Sequence, residues 1–494
     1  SRNPKDVFKS IPASMIQRIE VITEPGAKYD AEGVNGILNI VMMDNTTVRG
    51  AAGSVSASMN TNGTPGAYAY VTAQLGKFTT TVNYGLNGMT RKENSSWSTT
   101  LTDYNETGAH TEATSVGDHS GLMQYGNMEA SLEIDSLNLL TMSIGGFWYG
   151  IDPVWTGHEA MYDAQGNMMY GYDTNTGYRK YGYFDFNGKL DYQHLTHRKD
   201  ESIVLSYLLS TTDQTNDSWV TYFNAVNLPV DYTHRDGNNK LKFYEHTFQF
   251  DYTRPFGKGH KLETGSKYIL RINDSKTDYV YSNPALNKFT DFRHITQVGA
   301  LYAEYAYNAA KWGARAGVRY EFAHLSAKYP NGSGEPFKSN IGDVVPTLSL
   351  NYKINDRNSL KLNFATRINR PGISYLNPAV NMSPTTVSYG NPDLESSRRH
   401  SLKLSYSLMT EKFTTVLSFN GAMSNNQVTS YITVVPDENG NDVVYSTYGN
   451  IGRNQSAGMS VYLQWRCTSK TTFMLNGDMN YDNTKNRSLA ISNG

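Results

Sequence analysis

The segment Lys311-Trp312-Gly313-Ala314-Arg315-Ala316-Gly317-Val318-Arg319-Tyr320-Glu321-Phe322 alternates without a break. Arg315, Gly317, Arg319 and Glu321 fall on one parity; Ala314, Ala316, Val318, Tyr320 and Phe322 fall on the other. Successive side chains of a β-strand point to opposite faces, so this stretch reads as a strand with one wet, charged face and one apolar face. A helix, with its period of ~3.6 residues, would not separate the two sets in this way. The pattern recurs along the chain. Leu360, Leu362 and Phe364 oppose Lys361, Asn363 and Arg367, and Leu402, Leu404 and Tyr406 oppose Lys403, Ser405 and Ser407. Phe413, Thr415, Leu417 and Phe419 oppose Lys412, Thr414, Ser418 and Asn420.

Working outward from these segments, the chain beyond about residue 46 repeats one unit, an alternating stretch of ~10–15 residues followed by a turn. About seventeen such strands can be numbered between Val48 and Tyr481. Short connections are expected near Gly76-Lys77, Asp135-Ser136, 194–199, 255–258, 309–311, 355–357, Thr410-Glu411 and Thr468-Ser469. Polar excursions near 90–120, 151–177, 213–238, 274–290, 326–341, 371–396 and 425–455 read as long loops between them. Short turns at one end and long loops at the other are the asymmetry of a barrel that crosses an outer membrane. A soluble sandwich shares the alternation but does not sort its loops into two length classes, and no blade-length repeat supports a propeller. Aromatic runs such as Phe147-Trp148-Tyr149, Tyr181-Gly182-Tyr183-Phe184 and Tyr302-Ala303-Glu304-Tyr305 are expected in interfacial girdles.

Composition points the same way. Lys plus Arg number 44 against 45 Asp plus Glu, a net charge of −1 that argues against a nucleic-acid partner. Only 18% of residues are charged, where soluble proteins average about 25%. Tyrosine, at 36, outnumbers the 18 Phe and 6 Trp together, which suits many strands with a wet face. No apolar run approaches the ~20 residues of a membrane-spanning helix. The single cysteine, Cys467, leaves no disulfide framework and no CxxC-type zinc or redox site. The fold class read from these observations is all-β: a large antiparallel transmembrane outer-membrane barrel.

The stretch before residue 46 is of a different kind. Ile11-Pro12-Ala13-Ser14-Met15-Ile16-Gln17-Arg18-Ile19-Glu20-Val21-Ile22-Thr23-Glu24-Pro25-Gly26-Ala27-Lys28-Tyr29-Asp30-Ala31-Glu32-Gly33-Val34-Asn35-Gly36-Ile37-Leu38-Asn39-Ile40-Val41 predicts a short helix over 13–17, a strand ending at Pro25, a glycine-rich turn and a second strand over 36–42. This passage resembles the end of the plug domain of TonB-dependent outer-membrane receptors, in a variant with a longer turn. A second block, Ala365-Thr366-Arg367-Ile368-Asn369-Arg370-Pro371-Gly372-Ile373-Ser374-Tyr375-Leu376-Asn377-Pro378 followed by Tyr389-Gly390-Asn391-Pro392-Asp393-Leu394-Glu395, is similar to a barrel segment of the same receptors in order and spacing.

The resemblance implies two parts. Residues 1–46 would be the C-terminal part of an α+β plug, and residues 47–494 the receptor barrel. It implies energised uptake of a nutrient such as a siderophore, glycan or peptide. The partners would be the TonB complex, reached through a region before Ser1, the lipid of the outer membrane and a surface lipoprotein. The alternative is a surface-binding or structural barrel without active transport. Family barrels have about twenty-two strands. An odd count is foreign to single-chain bacterial barrels, so further strands are expected after Gly494 and the rest of the plug before Ser1.

Arg18 and Glu20 share one face of their strand. They are candidates to meet the lumen charges Arg315, Arg319, Glu321, Lys361 or Arg367 in ion pairs holding the plug. The same two residues would also suit a merely solvated strand face, where exposed pairs contribute ~0–1 kcal/mol. Arg370, Asn377, Asn391 and Asp393 sit in one long loop and are candidates for ligand contact there, or else turn formers that order it. The histidines, among them His110, His119, His194 and His197, lack metal-ligand spacing with a carboxylate. No nucleophile elbow, P-loop or HExxH motif occurs, so neither catalysis nor a resident cofactor is expected.

Overall fold

The computed structural model describes residues 16–22, 27–28, 37–42, 50–104, 107–228, 230–334, 336–376, 381–382, 386–436, 442–486 and 491–493. One sheet of twenty-three strands dominates, and a separate two-stranded sheet pairs Ile16–Ile22 with Ile37–Met42 antiparallel. Ile16 and Gln17, expected to end a helix, are strand residues here, because Ile16 already takes Met42 as its ladder partner. The remainder of that expected helix lies outside the described residues.

Six strands of the large sheet are additions to its wall: 95–104, 109–118, 154–162, 381–382, 386–388 and 491–493. The other seventeen form the wall in chain order. They are β1 (Gly50–Met59), β2 (Pro65–Leu75), β3 (Phe78–Met89), β4 (Gly121–Glu133), β5 (Asn138–Ile151), β6 (Met168–Leu195), β7 (Ser202–Val226), β8 (His234–Phe256) and β9 (His260–Tyr281). They continue as β10 (Lys288–Asn308), β11 (Trp312–Lys328), β12 (Phe337–Lys353), β13 (Asn358–Asn369), β14 (Ser397–Met409), β15 (Phe413–Pro436), β16 (Asp442–Arg466) and β17 (Thr472–Asn486). Each is antiparallel to the next. Among the described residues the full-length ladders of β1 and β17 are those to β2 and β16, and both strands are exposed along most of their length.

Every connection from an even-numbered wall strand to the next is short, from residues 76–77 through 467–471, so all eight lie at one end. The other end departs from expectation. Much of what reads as polar loop is strand: β6 runs for 28 residues, β7 for 25 and β16 for 25. A membrane crossing needs only ~9–11 strand residues, so these strands continue far beyond the bilayer. There neither face meets lipid, and the apolar-polar alternation that announces a strand disappears. The 60–64 connection is also short, closed by Asn60, whose side-chain oxygen accepts the amides of Asn62 and Thr64, with Gly63 at φ +79°. Part of the tyrosine surplus holds these extensions together. Tyr172, Tyr222, Tyr232 and Tyr281 form a buried chain of ring contacts with centroids 4.7–5.7 Å apart.

The wall has the two faces that the sequence predicts. On β10 and β11, Leu301, Val318, Tyr320 and Phe322 are exposed on the outside, while Arg319 and Glu321 are 1% and 2% exposed on the inside. Three expected girdle runs are split by the same parity. Trp148 and Phe184 point outward, while Phe147, Tyr149, Tyr181 and Tyr183 sit on the lumen parity of β5 and β6. Tyr305 is exposed outside, and Tyr302 is buried inside.

Candidate functional site

Neighbouring inward positions on β10–β12 carry opposite charges, and barrel curvature brings them together. Arg319 donates through Nε to Glu321 on the same strand, and Arg370, just past β13, reaches the other Glu321 oxygen at 2.6 Å. Arg370 also stands 4.0 Å from Asp343 on β12, which accepts from Arg398 of β14 at 2.6 Å. Arg319, Glu321, Asp343 and Arg370 are all buried. Removing charges from water costs several kcal/mol per ion, and here the cost is offset by mutual pairing and by neighbouring groups. The Arg319 guanidinium lies 5.4 Å from the ring centre of Tyr302, whose hydroxyl donates to Asp251.

One strand-pair away lies the contact between the N-terminal segment and the wall. The Ala27 amide donates to Glu304 Oε2 at 3.0 Å, and Arg315 Nε reaches Glu304 Oε1 at 3.1 Å. Ala27 and Glu304 are 2% and 4% exposed. The turn fits because β11 has Gly317 at that point: a Cβ there would stand 2.8 Å from the Ala27 Cβ. Next to Ala27, Lys28 lines a lumen cavity of about 420 Å³ shared with Lys189, Asp191, Gln249, Asp251 and Lys267. A larger hollow of about 730 Å³ is apolar and includes Leu205, Phe248, Leu301, Tyr320 and Phe322. These side chains share the outward parity of the wall, so lipid chains rather than a transported ligand meet that surface.

The expected plug–barrel residues divide accordingly. Arg315, Arg319 and Glu321 are neighbours inside one strand, and Lys361 joins Arg315 around a second polar hollow with Asn351 and Asn363. Arg367 stands opposite Arg399 in the ladder between β13 and β14. The backbones of Arg18 and Glu20 pair with Val41 and Asn39, and their side chains lie outside the described residues. Arg315, Arg319 and Glu321 pair with other barrel residues, and the contact described between the N-terminal segment and the wall is an amide to a carboxylate. Glu304 was missed because it stands inside an aromatic run.

Of the loop candidates, Arg370 is drawn into the buried ion network. Asn391 donates to the Tyr448 carbonyl at 2.9 Å and accepts from the Asp393 amide at 2.9 Å, so it shapes the loop. Asp393 is exposed, and Asn377 lies outside the described residues. No group of histidine, cysteine and carboxylate side chains arranged to hold a metal occurs among the described residues.

A long antiparallel wall, apolar outside and ionic inside, with short turns at one end, defines an outer-membrane β-barrel whose place is the bacterial outer membrane. The chain belongs to the outer membrane protein beta-barrel family, whose model matches residues 194–493. A search of curated proteins finds no match in sequence. Among solved structures the fold is similar to the ferric citrate transporter FecA in its unliganded form, at 13% identity and a TM-score of 0.59, over 97% of this chain and 66% of that one. It is similar to the ferric yersiniabactin uptake receptor FyuA from Yersinia pestis, at 13% identity and a TM-score of 0.57, over 96% of this chain and 67% of that one. It is also similar to the copper transporter OprC, at 11% identity and a TM-score of 0.59, over 95% and 67%. The chain thus spans about two thirds of the length of the structures it matches.

Proposed function

We infer that this barrel is a TonB-dependent receptor that takes up a scarce nutrient across the outer membrane. The observation that carries this reading is the Ala27 amide on Glu304, a turn of the chain seated in the lumen by a contact that can be broken and remade. A hydrogen bond to a charged group contributes roughly 1.5–3 kcal/mol. That is enough to seat the turn and small enough for an applied force to release it. The likeness to the fold of three metal or siderophore transporters supports the same reading. On it, residues 1–46 are the end of a plug, the TonB complex pulls on chain N-terminal to them, and a surface lipoprotein is a partner at the loops.

The test is a tether. In a Cys467→Ser background, Lys28→Cys with Gln249→Cys places two thiols on the wall of one lumen cavity, where a bis-methanethiosulfonate reagent joins them through disulfides that reduction breaks. Cells carrying the protein are fed an isotope-labelled cell extract that includes labelled iron and copper. The expected result is accumulation that disappears without TonB, disappears in the tethered protein and returns on reduction. Accumulation that persists without TonB, or no accumulation of any labelled component, overturns the reading in favour of a binding or structural barrel.

A further inference from the structure

The inward faces of β5 and β6 carry a run of aromatic rings that the ion network does not use. Phe147 packs edge-on to Tyr183 at 5.9 Å, and Tyr149 edge-on to Tyr181 at 6.0 Å. Tyr181 meets Tyr178 at 5.6 Å, and Tyr178 meets Trp155 at 5.9 Å. The six rings form one continuous ladder, because Phe147 also stacks on Tyr149 at 6.4 Å. Wall parity places them on the lumen side: Thr141, Lys189 and Asp191, which line the lumen cavity, share their odd numbering on β5 and β6. At Arg179 a register shift changes the parity and keeps Tyr178 on that face.

A ladder built only for packing would be buried, as the tyrosine cluster farther out is. These six rings are all half-buried. Among the described residues no side chain hydrogen-bonds the hydroxyl of Tyr149, Tyr178 or Tyr183. Each therefore presents a ring face and a free hydroxyl to the lumen. The two arginines nearby are paired, Arg91 with Asp118 and Asp152 and Arg179 with Asp217 and Asp236, while the carboxylate of Asp185, opposite Phe147 on the same face, accepts from Thr212. A surface that offers successive ring faces and hydroxyls beside the Asp185 carboxylate disfavours an anion and complements an uncharged ligand of repeated rings that have apolar C–H faces and hydroxyl edges. Tyrosine suits such contacts because it joins an apolar face to a polar tip. A single aryl group would occupy only one or two of the six rings.

We propose that this ladder is a binding track for a neutral oligosaccharide on its way through the barrel. The proposal rests on the uptake reading for its biological sense and deepens it by naming a ligand class.

The test uses the purified full-length protein in detergent, without TonB or an energy source. Maltoheptaose and cellohexaose are titrated by calorimetry, with 2,3-dihydroxybenzoate as the aryl comparison. The expected result is binding of at least one oligosaccharide. It should weaken tenfold or more in Tyr149→Ala with Tyr181→Ala, and about threefold or less when both are changed to Phe. Hydroxyl-radical footprinting of the unmutated chain gives a second reading that does not depend on variants folding, with bound oligosaccharide protecting Tyr149 and Tyr181. Binding of dihydroxybenzoate alone, binding of none of the three, or oligosaccharide binding without protection of these tyrosines overturns the track. Any of these leaves the uptake reading standing, whereas accumulation that ignores TonB overturns that reading and leaves the track.

Discussion

The Ala27 amide and the Glu304 carboxylate meet at 3.0 Å across 277 residues of chain, and Arg315 holds the second carboxylate oxygen. Glu304 thus serves two masters: it anchors a turn of the N-terminal segment and remains charge-balanced when that turn leaves. Glu304→Ala should release the turn. Exchange of the Ala27 amide with deuterium is expected to speed up by about 10–100-fold, the range that corresponds to ~1.5–3 kcal/mol. Glu304→Gln, which keeps an acceptor oxygen, should have a smaller effect. An Ala27 amide that exchanges equally in all three proteins would show that the seat lies elsewhere.

The buried ions make a second prediction. Arg370→Ala leaves Glu321 with Arg319 alone and takes a guanidinium away from Asp343. Breaking one partner out of a buried pair typically costs ~3–5 kcal/mol, so the denaturant midpoint of the detergent-solubilised barrel should fall markedly. Arg398→Ala should cost less, because that side chain is half exposed and Asp343 keeps Arg370 nearby. Equal losses in the two variants would contradict the burial ranking.

The lipid and lumen faces can be separated on one strand. Leu404 is exposed on the outward parity of β14, while Ser405 shares a hydrogen bond with Ser418 at 2.9 Å on the other. An arginine on the lipid face costs ~2–4 kcal/mol near midplane. Leu404→Arg should therefore impair insertion into lipid vesicles far more than Ser405→Arg. Equal tolerance would reject the assignment of faces.

Acid should loosen the extracellular hairpin 95–118 where it joins the wall. Burial pushes the Asp152 carboxyl up, but the Ser120 amide and hydroxyl and the Arg91 guanidinium outweigh it and hold the group below the usual range. A carboxyl depressed in the folded state contributes stability that is present above its unfolded value, ~3.9, and is lost as pH falls through the lower folded value. The Ser120 amide should stay protected from exchange at neutral pH and lose protection only below about pH 4. In Asp152→Asn that step should vanish. A step of the same size in the variant would assign the acid sensitivity to another group.

The strands, the short turns, their count and the two faces of 311–322 were legible in the sequence, because each is encoded locally. Side-chain parity has a period of two, and lipid on one side with water on the other writes that period into residue type. Where the environment stops being two-sided, the code stops. The outer halves of β6, β7 and β16 have no lipid face, so they read as loops, and only their ladders with neighbouring strands reveal them. Trp148 and Tyr149 read as one girdle although the wall sends one outward and the other inward, because a run of like residues hides its own parity. Partners were likewise beyond reach. Arg319 and Glu321 could be placed on one face, but the approach of Arg370, 49 residues from Glu321, and of Ala27 to Glu304 depends on the curvature of the wall and on a segment folded into it. Sequence by itself determined which face each strand residue takes. Tertiary structure decided which residues meet across the lumen, since that distance is set by how the whole sheet bends.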